Sequence, residues 1–488
     1  MIKNILRRFG YHKLQKRTAF KGGTNSNLYS GWTTNSNSLD TDLRSNLRAL
    51  RARSRELTYN NDYAKKFIRM VKTNVIGQHG IKFQSRAVTQ KGKPDEEARK
   101  RIEEQYNKWC EKGQCDVTGQ LSFRDIQDLF ISSTARDGEI IARKVSGFNN
   151  KHNYALQLIE SDHLDENFNE IRANGNKIKM GIEFDKWNRP TVYHLYATHP
   201  GDTLFGSYSY GEKTPIPANQ IVHGFTRQRI SQSRGLPWMH SALTTYNMLG
   251  GYQEAELTAA RLAASKMGFY VSKEGTQFTG DDNDGDTPIS EATPGHFEVL
   301  NNGMDFKAFD PDHPTTAYKD FVKSILRSIA SGVDVSYNYL ANDLEGVNYS
   351  SIRAGVLDER DVWMALQRWM IEHFNNHIFK SWLSIQLING NLKNMMLQDF
   401  NRYSSAHWQP RRWQWVDPVK DIAAKTKEIE TGINAPSNIV AEMGQDYEEV
   451  LQQIAHDEKL RKQYGVKTNY DLEILEAAQK LSDQGDKQ

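Results

Sequence analysis

Residues 216–267 (IPANQIVHGFTRQRISQSRGLPWMHSALTTYNMLGGYQEAELTAARLAASKM) constrain the fold of this chain more than any other stretch. They read as a short strand carrying His223, a polar loop rich in Arg, Gln and Ser, a Gly-Leu-Pro turn, and then a long helix. Pro237 is expected to open that helix, which should run to about Met267 with the stripe Leu243, Tyr246, Leu249, Tyr252, Ala255, Ala259 and Leu262. At 1.5 Å per residue it would be roughly 45 Å long. Its second half is crowded with the small residues Ala255, Ala259, Ala260, Ala263, Ala264 and Ser265. Small side chains let another helix approach closely, either within the same subunit or from a neighbouring copy. The Gly250-Gly251 pair costs about 1 kcal/mol per Gly relative to Ala, so it calls for a packing or bending reason.

Upstream, residues 1–40 end in an Asn/Ser/Thr/Gly stretch and read as an exposed arm. Asp40 or Thr41 should cap a helix with Leu43, Leu47, Leu50 and Leu57 at helical spacing, and with Arg44, Arg48, Arg51 and Arg55 on adjacent faces. A second helix is expected over 63–75, a third over 94–113 and a fourth over 123–135, the last with Ile126, Leu129, Phe130 and Ser133 on one side. After Asp137-Gly138 the period turns strand-like, with strands at 139–145, 155–159, 177–184 and 190–196. Residues 41–230 are therefore an α+β region, helices first and an antiparallel sheet after.

Downstream, residues 272–315 form a loop-rich excursion, and a loop of that length inside a folded chain tends to be functional. A helix capped by Thr315 or Thr316 follows, so two helices bracket the excursion like a stalk with a tip. Residues 334–349 (DVSYNYLANDLEGVNY) lack periodicity. Ser350 or Ser351 then caps a long helix with Trp363, Leu366, Met370, Phe374, Ile378 and Trp382 at successive turns. Short punctuated helices close the chain: Asp417-Pro418 opens one, Gly432 ends it, and Asp446 with Glu449 has capping-box spacing.

Composition narrows the chemistry. Hydrophobic residues are 38% of 488, so the chain can bury a core but keeps much polar surface, as an elongated monomer or an assembly subunit would. Net charge is only +3, from 63 basic and 60 acidic residues, whereas a dedicated nucleic-acid clamp would be far more basic. Cys110 and Cys115 are too few for a disulfide scaffold and read as free thiols. No apolar run reaches membrane-spanning length, and the basic N-terminus does not read as a signal peptide. No phosphate-cradling loop, GxGxxG, GxSxG or HExxH is present. Asp282, Asp284, Gly285 and Glu291 match part of a calcium loop, but position 1 is Gly280 and flanking helices are not expected, so a solvated acidic loop is the reading. His373 and His377 lie i, i+4 without a third ligand, and Asp358, Glu359 and Asp361 read as a charged helix face. No catalytic residue, metal or cofactor is assigned. Lys319, Lys323 and Arg327 recur every four residues as a basic row, which is either a solvated face or a set of phosphate contacts.

Several segments in order give the chain its resemblance to a known family. They are LRARSRELTYNNDYAKKFIRMVKTNVIG (50–77), SFRDIQDLFISSTARDGEIIAR (122–143), LQLIESDHLD (156–165), GIEFDKWNRPTVYHLY (181–196), the 216–267 stretch, VNYSSIRAG (347–355) and WQWVDPVKD (413–421). Together they resemble the lambda-type portal proteins of tailed bacteriophages. The resemblance implies a ring, twelve copies in this family, at one capsid vertex of the virion, with a channel for double-stranded DNA packaging and ejection. It implies an α+β subunit with an N-terminal arm (1–40), a wing (41–237), stem helices (238–268 and 316–333), a clip (269–315), a tunnel loop and its long helix (334–388), a return to the wing (389–419) and a helical crown (420–488). The clip would dock the terminase large subunit and later head-tail connector or neck proteins, and the ring would meet the major capsid or scaffold protein, with assembly in the bacterial cytoplasm and no membrane. The channel is expected at Tyr337, Asn338, Asn342 and Asn348 with Lys319, Lys323 and Arg327, and stem or subunit packing at Ala255, Ala259, Ala260 and Ala263. The competing readings are a metal-dependent nucleic-acid-processing enzyme and a capsid scaffold without a channel.

Overall fold

The computed structural model describes residues 31, 33, 35–202, 212–264, 268–272, 282–284, 287–289, 304–308, 318–345, 349–413, 418–442 and 447–466. The chain divides into two compact units, one ending at Arg411 and one beginning at Arg412. In the first unit, helix α1 (Leu39–Asn60) is capped by Ser38, whose side chain accepts from Thr41 N, rather than by Asp40 or Thr41. Its Leu43 and Leu47 are buried. Asn61 caps α2 (Asp62–Val71), which buries Phe67, Ile68 and Val71 and passes into a π-turn, Lys72–Ile76. Strand β1 (Lys82–Ser85), α3 (Glu96–Cys110) and α4 (Phe123–Asp137) follow. The α4 face differs from the expected one. Ile126, Phe130, Ile131 and Ala135 are buried, while Leu129 is exposed. The helix is wedged between layers, so burial follows its neighbours rather than a single stripe.

The expected antiparallel sheet is two sheets. One has the order β3-β2-β9, from β2 (Glu139–Ser146), β3 (Tyr154–Ile159) and β9 (Ile221–Phe225). The other runs in sequence from β4 (Glu170–Ile171) through β5 (Lys177–Lys179), β6 (Ile182–Phe184) and β7 (Pro190–Tyr196) to β8 (Lys213–Pro217). The single strand expected over 177–184 is thus a hairpin. Met180 and Gly181 both take positive φ, 46° and 85°, and reverse the chain there. Ile141, Leu164, Ile182, Tyr193, Leu195 and Ile216 close a core between the two sheets.

The turn before the long helix is tighter than the sequence suggests. Residues 238–242 form turns, with Trp238 N donating to Ala135 O at 2.9 Å. Helix α5 therefore starts at Leu243, not Pro237, and its described span Leu243–Ala264 is roughly 33 Å rather than 45 Å long. Gly138 sits at φ 89° directly against this turn, where an added Cβ would lie 2.4 Å from Leu236 C. Beyond α5, β10 (Gly268–Ser272) pairs with the later β13 (Met304–Ala308), and between them β11 (Asp282–Asp284) pairs with β12 (Thr287–Ile289). Helix α6 (Tyr318–Gly332) packs on α5 through Tyr252, whose ring lies 5.7 Å from Tyr318 and 5.1 Å from Phe321.

The stretch 334–349 is not irregular throughout, because it contains a short helix, α7 (Tyr337–Ala341). Helix α8 (Tyr349–Met370), a second π-turn (Ile371–Asn375) and α9 (Asn376–Ile388) form the expected long helical run. Its Phe374, Phe379 and Trp382 enter an aromatic core with Phe83, Tyr106, Trp109 and Phe123. A short α10 (Phe400–Tyr403) leads to β14 (Ala406–Gln409), which pairs with β1 and places Trp408 on the same cluster. The second unit consists of α11 (Pro418–Glu430), ended at Gly432 with φ 70°, then α12 (Pro436–Glu442) and α13 (Tyr447–Tyr464). The capping box proposed at Asp446 lies outside the described residues.

Candidate functional site

Of the candidate channel residues, the structure places Tyr337 against Lys323 and Arg327 of the basic row. Helix α6 turns Lys319, Lys323 and Arg327, one per turn, toward residues 337–345. Lys319 Nζ lies 2.6 Å from Glu345 Oε2, and Lys323 Nζ lies 3.0 Å from Asp343 Oδ2. The Lys323 ammonium and the Arg327 guanidinium sit 5.9 Å and 5.5 Å from the Tyr337 ring centre. Tyr337 OH donates to Asp343 Oδ2 at 2.6 Å, and Glu345 N donates to Asp343 Oδ1 at 3.0 Å. The Tyr337 hydroxyl, the Glu345 N–H and Lys323 together hold the Asp343 carboxyl well below its usual range. Burial, then the same hydrogen bond to Asp343, pushes the Tyr337 phenol up to about 12.

Two further anchors fix the segment. Glu359 accepts from Ser336 N at 3.3 Å and from Trp363 Nε1 at 3.0 Å. Glu359 is buried, and that burial raises its pKa, so it is not part of a charged face as expected; only Asp358 and Asp361 are exposed. Lys66 Nζ donates to Asn342 Oδ1 at 2.9 Å. Asn342 ends α7 at φ 54°, ψ 31°, a left-handed conformation that Asn tolerates better than most residues. Asn338 is half-buried and Asn342 exposed, while Asn348 lies outside the described residues. The basic row is therefore neither a bare solvated face nor a bare phosphate ladder, since two of its three cations are already matched by acids. Sequence reading passed over those acids, although Asp343 and Glu345 stand in the same aperiodic segment as the polar residues it chose.

The Ala-rich face divides. Ala255 is exposed, Ala259 and Ala260 are half-buried, and the Ala263 side chain lies outside the described set. Among the described residues, and apart from the helix's own backbone, no atom comes within 4 Å of a Cβ placed on Gly251, and at Gly250 the nearest is Asn61 Nδ2 at 3.8 Å. Among the described residues, close packing therefore does not account for this Gly pair.

A buried charge cluster orients the loop that leads into α5. The Glu139 carboxylate, 1% exposed, accepts from Arg234 Nη2 at 2.6 Å, Arg51 Nη2 at 3.0 Å, Gly235 N at 2.9 Å and His223 Nε2 at 3.0 Å. Arg234 also donates to the carbonyls of Met180, Ser161 and Leu164. Against the cost of burial, Arg234 and His223 hold the Glu139 pKa far below the carboxylate range. Of the four arginines that sequence spacing placed on α1, Arg51 and Arg55 turn into this cluster, Arg55 through Asp137 at 2.8 Å and Asp162 at 2.5 Å, whereas Arg44 and Arg48 stay exposed.

The metal candidates do not assemble. Residues 282–284 and 287–289 form a strand hairpin, not a loop between helices, and Gly285 and Glu291 lie outside the described residues. His373 Nδ1 is committed to Trp369 O at 3.1 Å. Burial, with Lys144, His373 and Lys380 nearby, lowers the His377 pKa, a cationic setting unsuited to a metal ion. Glu160, Asp162 and His199 place ligand atoms within 4.8 Å of one another, but Arg51 and Arg55 already neutralise Asp162. Among the described residues no helix is long and apolar enough to cross a membrane.

Comparison with known proteins identifies the family. Residues 25–367 match the family described as "Phage portal protein, lambda family". The "Probable portal protein" of Halomonas phage phiHAP-1 is 38% identical over 459 residues, covering 92% of this chain and 88% of that one. Portal protein B of Escherichia phage lambda is 21% identical over 516 residues, covering 96% and 94%. Among solved structures, a chain in the neck of an empty gene transfer agent (GTA) particle is similar over 82% of this chain and 93% of that one, at 12% identity and a TM-score of 0.44. The chain belongs to the lambda family of phage portal proteins.

Proposed function

We propose that residues 336–349 form the constriction of the DNA conduit at the capsid vertex and that α6 is the wall behind them. The observation that carries this reading is the ion-paired frame of Lys319–Glu345 and Lys323–Asp343 around Tyr337, which braces the segment against a helix and leaves it close to neutral. Duplex DNA carries a charge about every 1.7 Å, so a strongly basic wall would hold it firmly. A near-neutral polar wall lets it move. In the same reading the subunit joins a ring of twelve through α5 and α6, with exposed Ala255 and the uncovered Gly251 against a neighbouring copy. Residues 269–315 form the clip that docks the terminase large subunit and later the connector proteins. The second unit forms the crown, and the capsid or scaffold protein surrounds the wing.

The test is Asn338→Lys in assembled phage particles. Asn338 has φ in the helical range of α7, so Lys fits there, whereas Lys at Asn342 would have to adopt the left-handed conformation and would lose the acceptor for Lys66. Ring assembly should be normal while packaging or ejection slows. An unchanged packaging rate in normal particles would show that this segment does not meet DNA.

A further inference from the structure

The cations of α6 are the natural phosphate contacts of a conduit, yet the structure spends them on the acids of the facing segment. The two pairs differ in kind. Lys319 and Glu345 are each 66% exposed, so their pair lies open to exchange with any passing anion. Lys323 and Asp343 are only 23% and 22% exposed, and Asp343 is oriented by two more donors, Tyr337 OH and Glu345 N. The inner acid thus has three partners in fixed directions, and its backbone contact with residue 345 carries the outer acid into reach of Lys319. Tyr337 adds an aromatic face to the same two cations, Lys323 and Arg327.

We infer that Asp343 and Glu345 are positioning residues for DNA passage, which hold Lys323 and Lys319 on the segment and off the phosphate backbone. This rests on the reading of 336–349 as the constriction. Phosphate and carboxylate compete for the same ammonium groups. While the carboxylates win, the wall offers DNA two fewer cations per subunit, and the segment stays docked on α6. Removing the carboxylates frees the charge of Lys319 and Lys323 for phosphate. A merely structural role for the acids would loosen the segment without changing how binding responds to salt.

The experiment uses full-length protein and a short linear DNA duplex, with affinity measured by fluorescence anisotropy across a NaCl series. Glu345→Gln removes only an exposed acid and should fold normally. It should steepen the dependence of log K on log salt by about 0.9 for each phosphate newly engaged. Asp343→Asn combined with Glu345→Gln should steepen it further, and adding Lys319→Gln and Lys323→Gln should return it to the wild-type slope. An unchanged slope in Glu345→Gln and in the double variant, with circular dichroism preserved, overturns the inference. Electron cryomicroscopy of the wild-type assembly separates the two levels. If residues 337–345 line an axial hole and the slopes do not move, the inference falls and the conduit reading stands. If those residues lie on the outer rim, the conduit reading falls and takes the inference with it.

Discussion

Replacing Glu139 by Gln should test what holds the loop before α5 in place. The substitution keeps volume and removes only charge and one acceptor. Arg234, with no exposure, would then be a buried guanidinium without its carboxylate, while Arg51, 2% exposed, would keep only Asp162 Oδ1 at 3.2 Å. Removing one partner of a buried pair costs about 3–5 kcal/mol, because the remaining charge has lost its compensation. Unfolding entropy is about 2.1 cal/mol/K per residue. For a unit of roughly 400 residues this gives about 1.2 °C per kcal/mol, so the melting midpoint should drop by about 4–6 °C. Scanning calorimetry of the full-length protein at neutral pH reads this directly. Arg234→Met in the Glu139→Gln background should recover part of the loss, since it removes the stranded charge. A Glu139→Gln midpoint within about 1 °C of wild type would refute the reasoning. It would mean that the carbonyls of Met180, Ser161 and Leu164 satisfy Arg234 without the carboxylate.

Three other outcomes follow from the same geometry. Burial lowers the pKa of His223 below 6.5 despite its bond to Glu139, so the folded state keeps it neutral while the unfolded chain takes up a proton below that value. Stability should therefore fall as pH drops from 6.5 toward the folded pKa, and His223→Gln should flatten that part of the pH–melting curve. Gly235→Ala would put a Cβ 2.1 Å from Gly138 O, a backbone atom with no freedom to retreat, so the variant should be poorly folded by circular dichroism, at or beyond the usual overpacking cost of about 1–3 kcal/mol. Ala255→Leu on the exposed face of α5 should leave the melting of the isolated subunit unchanged but lower the yield of rings in negative-stain images. Ala259→Leu, half-buried, should cost about 1–3 kcal/mol in the subunit as well, and wild-type ring yield from Ala255→Leu would place that face away from the subunit contact.

What the sequence could reveal was set by range. Leu43 and Leu47, or Phe67, Ile68 and Val71, announce their helices because burial repeats at the helical period within a few turns. The Glu139 cluster has no such period. Its members are 88 and 95 residues apart, and Arg234 stands in a polar loop that gives no sign of being buried. The same holds for Lys319 and Glu345. Helix α7 has five residues, too few for any period to appear, and the hairpin at Met180-Gly181 carries only one glycine as a signal. The long helix shows how a pattern can hold more than was taken from it. Its inward residues Met370, Phe374, Ile378 and Trp382 recur at every fourth position. Four residues advance a regular α-helix by about 400°, so such a row drifts about 40° per step and should leave the core within a few turns. It does not, because the π-turn at Ile371–Asn375 adds a residue to one turn and brings the row back. Here that turn lets one long helical run keep Met370, Phe374, Ile378 and Trp382 in the core while Glu359, further up the same run, holds the start of the segment proposed to meet DNA.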